Sequence, residues 1–221
     1  MYNITLVSTA HDEKGNCNIQ ELYNIINNIE PEVIFEEIPP SAFNSFYKEK
    51  TRNNLESDAI IKYLENHECE HIPVDLDFIP PKSFFDAYEN VHKRIEVRSN
   101  IYKDIIDTHS FYREVYGFKY LNSVECMNLD IELNKEMEIV LQILNNEKLY
   151  EGYKSWNELM DKRENEMLKN IYLYSKNNKF NKGVFFIGSG HRDTIINKIQ
   201  NYSKVEETVI NWNYSNYENI L

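Results

Sequence analysis

Two short stretches, far apart in the chain, end alike. Residues 4–11, ITLVSTAH, and residues 184–191, VFFIGSGH, each run an apolar strand into three small residues and a histidine. Short β-branched and aromatic runs of this kind, stopped abruptly by small or polar residues, read as buried strands. If both belong to one parallel sheet, their C-terminal ends share an edge, the place where α/β proteins bind ligands. This pairing restricts the chain more than any other feature. It asks for a sheet that brings the two ends of the sequence side by side and presents His11 and His191 to one crevice.

The segments between fit that demand. Ile19, Leu22, Ile25, Ile26 and Ile29 recur at helical spacing before Pro31, and PEVIFEE then supplies a strand over Val33–Phe35. A helix near 58–66 and a third strand around Ile72–Val74 follow. Helical patterns occupy about 83–106, 130–145 and 155–175, with Phe111, Tyr112, Tyr116 and Phe118 between the first two. The strand of the late motif, a helix near 193–199 and a β-rich segment, VEETVINW, close the chain. The expectation is an α/β fold: a mostly parallel central sheet flanked by helices, with a large helical insertion at about 83–178 in a single domain spanning 1–221.

A chain of 221 residues can bury a sizeable core without staples. Its three cysteines, Cys17, Cys69 and Cys126, form no close pair, which points to reduced thiols and a cytoplasmic protein. The N-terminus lacks a basic stretch followed by a long apolar one, so neither export nor a membrane partner is expected. A formal charge of −12 disfavours nucleic acid. A small-molecule or peptide substrate is expected instead, and a homo-oligomer is compatible with all of this.

The small residues Gly188, Ser189 and Gly190 are expected to let the backbone turn tightly and approach a ligand. His191 precedes a helix, whose N-terminal dipole favours neutral imidazole. Glu36 and Glu37 end the second strand on opposite sides, so one of them enters the crevice. Asp75 and Asp77 follow the third strand with the same parity. A carboxylate buried there needs a cation, and Arg163 is placed to supply it, with Glu164 beside it on the stripe that includes Met160 and Met167. Arg52, in the polar loop EKTRNNLESD, is a further candidate for anion binding.

The small-x-x-His after the first strand, the PEVIFEE strand ending in glutamate, the RENEMLKNI helix and the late GSGH resemble the superfamily that joins the TraB and Tiki proteins, the ChaN-like haem-binding proteins and the erythromycin esterases. Ser8 stands where the first motif usually has glycine; Gly188–His191 match the late one. The resemblance to the Tiki-like members implies a metal-dependent peptidase, with zinc, manganese or cobalt held by His11, Glu36 and His191, and Asp75 is a further candidate ligand. The helix is closer to the esterase pattern, on Arg163, Glu164, Met167 and Asn170, where a histidine and a glutamate activate water without an obligatory metal. Arg192 and Asp193 stand where the esterases tend to carry a further histidine. The resulting expectation is a hydrolase of ester or peptide bonds with a His/Glu/His site. Its alternatives are a non-catalytic binder of haem, a metal or a small anion, or a degenerate regulatory module on the same fold.

Overall fold

The structure, a computed structural model, describes residues 2–214. Five strands, β1 (Tyr2–Thr9), β2 (Val33–Glu36), β3 (Glu70–Pro73), β4 (Lys182–Gly188) and β5 (Ile210–Asn213), form one sheet in the order β3-β2-β4-β1-β5. Every named pairing is parallel. The fold is therefore mixed α/β with a parallel central sheet and helices on both faces.

Alternation along the strands explains the two layers. Val7, Ile34, Val184 and Phe186 face one side, where they pack with Leu22, Ile25 and Ile26 of helix α1 (Ile19–Ile29) and Leu55, Ala59 and Ile60 of α3 (Leu55–Leu64). Ile4, Leu6, Phe35, Phe185 and Ile187 face the other, against Met167, Leu168 and Ile171 of α7 (Glu147–Asn177) and Ile195 and Ile199 of α8 (Arg192–Val205). Such two-sided burial is why the strands are almost continuously apolar. A short α2 (Phe43–Tyr47) leads toward α3.

Between β3 and β4 lie α4 (Lys82–Glu96), α5 (Asn100–Leu121), α6 (Val124–Leu144) and α7. Val91, Ile95, Tyr102, Met137, Val140, Leu141, Leu149 and Tyr153 give them a core of their own. The single helix expected over 83–106 is two helices, because Ser99 caps a new one by accepting the amide of Tyr102. Phe111, Tyr112 and Tyr116 lie inside α5 rather than between helices, and the irregularity falls at Gly117, whose φ is 53°.

That kink meets the loop after β1. A Cβ on Gly117 would lie 2.5 Å from the carbonyl oxygen of Asn16, and one on Gly15, also at positive φ, 2.2 Å from that of Glu114. The Asn16 amide donates to the Glu114 carbonyl at 2.9 Å. Two backbones thus touch where neither tolerates a side chain.

Candidate functional site

β1 and β4 are neighbours in register, with Ser8 opposite Ile187 and Thr9 opposite Gly188. The two small-residue motifs therefore leave the sheet side by side. The helix after β1 covers one face and the helix after β4 the other, so the chain diverges at this edge and leaves a crevice. A cleft of about 860 Å³ opens there, lined by both His11 and His191, by Gly188, Ser189 and Gly190, and by Glu37, Arg163 and Glu164.

The buried half of the cleft floor is a network of alternating charge. His191 holds Glu164 Oε1 at 2.7 Å through Nδ1 and approaches Glu37 Oε1 at 3.3 Å through Nε2. Glu37 also accepts the Gly188 amide at 2.7 Å and Arg163 Nη2 at 2.6 Å. Arg163 in turn holds both oxygens of Asp75 through Nε at 3.1 Å, with Nη2 at 2.7 Å from Oδ2. Glu164 accepts Thr194 Oγ1 at 2.7 Å, and Lys198 Nζ lies 2.9 Å from its Oε2. Each buried charge therefore meets a counter-charge, the condition for keeping ions out of water.

Burial opposes a charge on His191, but Glu37 and Glu164 outweigh it and raise its pKa to about 10. This corrects the expectation of a neutral imidazole: a helix terminus supplies a fraction of a charge, whereas two carboxylates in contact supply more. Burial would also raise Glu37, yet His191 and Arg163 hold it well below the carboxylate range. Glu164 is likewise lowered against its desolvation, chiefly by His191 and Lys198.

His11 stands apart from that network. Its ring is largely exposed, and Nδ1 lies 3.1 Å from Glu56 Oε1. The hydrogen bond to Glu56 raises its pKa to about 9. Thr9 Oγ1 donates to the same glutamate oxygen at 2.6 Å. Glu56 itself is buried at the start of α3, where Asn54 and Ser57 cap the helix reciprocally. Its second oxygen has no hydrogen-bond partner among the described residues.

Glu36 does not join His191. Its carboxylate is buried on the α1/α3 face, between the Tyr47 hydroxyl, which donates to it, and His71 Nδ1 at 3.1 Å. Burial raises its pKa. Glu37 has the opposite parity, shares the face of Val33 and Phe35, and so meets α7, where Arg163 stands. Asp75 is buried against Arg163 as charge compensation requires, while Asp77 is exposed and accepts the Ser41 amide. Arg52 is exposed in the loop before α3 and does not line the cleft.

Gly188 has φ −57° and ψ 140°, a conformation open to any residue, and a Cβ there would make ordinary contacts. A Cβ on Gly190 would meet nothing within 4 Å. The turn does not require these glycines; they leave the floor of the cleft bare.

The expected metal ligands His11, Glu36, Asp75 and His191 are held in separate contacts. Among the described residues, no group of three or more His, Cys, Asp or Glu is placed to hold a metal ion. The donors do not fit one: both nitrogens of His191 are engaged as a cation, and Asp75 is closed by Arg163.

Glu56, Thr9, Thr194 and Lys198 join the site beyond the residues that the sequence motifs mark. Thr194 and Lys198 fall three and seven residues after His191, one face of a helix, which is a usable signal. Glu56 carries none, since nothing local marks which residue of α3 reaches β1.

No family model matches this chain, and neither a curated protein nor a solved structure matches it. Fold and site together define a parallel α/β domain with an exposed carboxylate-held histidine above a charge-locked floor. Among the described residues, no helix is long and apolar enough to cross a membrane.

Proposed function

We propose that this protein hydrolyses esters or amides, with His11 as the general base that activates water. The observation that carries the reading is the division of labour between the two histidines. His191 is fixed as a cation by Glu37 and Glu164. His11 is held at Nδ1 by Glu56, which leaves Nε2 in the cleft for a water or a leaving group. A carboxylate on one ring nitrogen orients an imidazole and stabilises the cation it becomes after taking a proton.

Arg163 has donor capacity left at Nη1, whose contact is the Met160 sulfur at 3.6 Å. Its other N–H groups are taken by Asp75 and Glu37. It therefore suits a carbonyl oxygen gaining charge rather than a bulky anion. Glu37, Glu164 and His191 hold that arginine and the floor in place, without a metal in the mechanism. The early and late histidine motifs and the Arg-Glu pair support kinship with the TraB/Tiki, ChaN-like and erythromycin esterase superfamily, its esterase branch above all, and that kinship is part of the proposal.

The test is turnover of a panel of simple esters and amides at pH 9, where His11 is about half deprotonated, by the purified protein and by His11→Gln. Removing a general base should lower kcat by about 10²–10⁴-fold. An unchanged rate in the variant, or no turnover of any ester or amide by the wild type, would end the reading.

A further inference from the structure

The charged floor forms one part of the cleft. Another wall is aromatic, built from Phe85 and Tyr88 of α4 and Tyr153 and Trp156 of α7, with Met160 of α7 beside them. Tyr88 stacks on Trp156 with centroids 3.9 Å apart and planes 2° apart, and Phe84, one turn before Tyr88, also stacks on it at 5.8 Å. Phe85 stands edge-on to the indole at 6.3 Å and 70° and is 46% exposed. A ring backed by stacked neighbours is rigid, and rigid aromatic corners recognise flat apolar groups at little entropic cost.

The position of this corner is set by one helix. Trp156, Met160 and Arg163 follow each other at four and three residues along α7, all lining the cleft. At 1.5 Å per residue, the indole sits ~10 Å along the helix from the arginine. The cations of the cleft are already matched. Arg163 is held by Asp75 and Glu37, and Lys198 by Asp161 and Glu164, so each already faces two carboxylates and brings no surplus positive charge to select an anionic substrate.

We propose that the cleft takes an uncharged ester or amide with a flat aromatic ring about 10 Å from the reacting carbonyl, the ring packing against exposed Phe85 and the edge of Trp156. This rests on the hydrolase reading for the carbonyl end alone; the ring subsite stands on its own geometry.

The experiment compares two pairs of probes. Binding of 7-phenylheptanamide and of heptanamide is measured by ligand-observed NMR titration, whose spectra also report any hydrolysis of the amide. Hydrolysis of methyl 7-phenylheptanoate and methyl heptanoate is followed by pH-stat. The wild type should bind the phenyl amide at least about 10-fold more tightly, the scale of one well-placed aromatic contact. Trp156→Ala should lose that preference, Phe85→Ala should weaken it, and Trp156→Phe should keep most of it. Turnover of the phenyl ester by the wild type should exceed that of methyl heptanoate by a similar factor, and Trp156→Ala should shrink that ratio. Equal binding of the two amides by the wild type, or a preference that survives in both alanine variants, overturns the proposal. If the preference in binding holds while neither ester turns over, the ring subsite is supported and the hydrolase reading fails.

Discussion

His191→Gln should destabilise the protein by an amount that depends strongly on pH. In the folded protein His191 sits between Glu164 and Glu37, with its pKa raised from 6.5 to about 10. A raised histidine stabilises the fold fully below the unfolded pKa, and the contribution is lost as pH rises through the folded one. Integrated over that interval, the linkage amounts to about 5 kcal/mol at pH 6 and falls to about 3 at pH 8 and about 1 at pH 9. Glutamine keeps a similar volume and can still donate to one carboxylate, while Arg163 and Lys198 remain beside Glu37 and Glu164. The variant should therefore fold, and its deficit should shrink as the medium becomes alkaline. Urea unfolding of both proteins at pH 6, 8 and 9 measures this directly. A deficit that is the same at all three values would show that His191 is not held as a cation, and the charge-locked floor would have to be abandoned.

The same reasoning applies elsewhere in the cleft. Because Glu56 holds His11 near pKa 9, ester turnover should climb with pH up to about 9, and Glu56→Gln should move that limb down toward 6.5 in a pH–rate profile. Arg163→Met should cost about 3–5 kcal/mol in urea unfolding by orphaning buried Asp75, and adding Asp75→Asn should recover a large part of it. Glu37→Gln should be several-fold more damaging to stability at pH 7 than Glu36→Gln. Glu37 is stabilised as an anion, a contribution present above pH 4.5 and lost as pH falls, whereas Glu36 is buried with its pKa raised and glutamine can still accept from Tyr47. Gly117→Ala should lower the melting temperature, because Cβ would fall 2.5 Å from the Asn16 carbonyl oxygen, while Gly190→Ala should leave it unchanged.

The strands and the pairing of His11 with His191 were legible because a buried parallel strand writes itself as an unbroken apolar run, and both runs end in the same small residues. Arg163 and Asp75 were legible as complementary buried charges, although not as a direct bond. The choice between Glu36 and Glu37 was not, since alternation assigns them to opposite faces without saying which face carries α7. Only its charge marks Arg52 as a site candidate, and its loop leaves it in solvent. The break at 97–99 leaves no mark in the apolar spacing, which runs on across it, while Ser99 decides the local hydrogen bonding.

The contact of Gly15 with Glu114 and of Gly117 with Asn16 bears on how such a protein can change over generations. The loop that follows His11 is pinned by backbone hydrogen bonding to α5, in the helical layer, and neither glycine can acquire a side chain alone without colliding with the other strand of the contact. Deleting or exchanging the helical layer would release that loop. The histidine turn and α5 must therefore be inherited as a pair, and recombination that trades one without the other should yield folded sheets with an ill-placed His11.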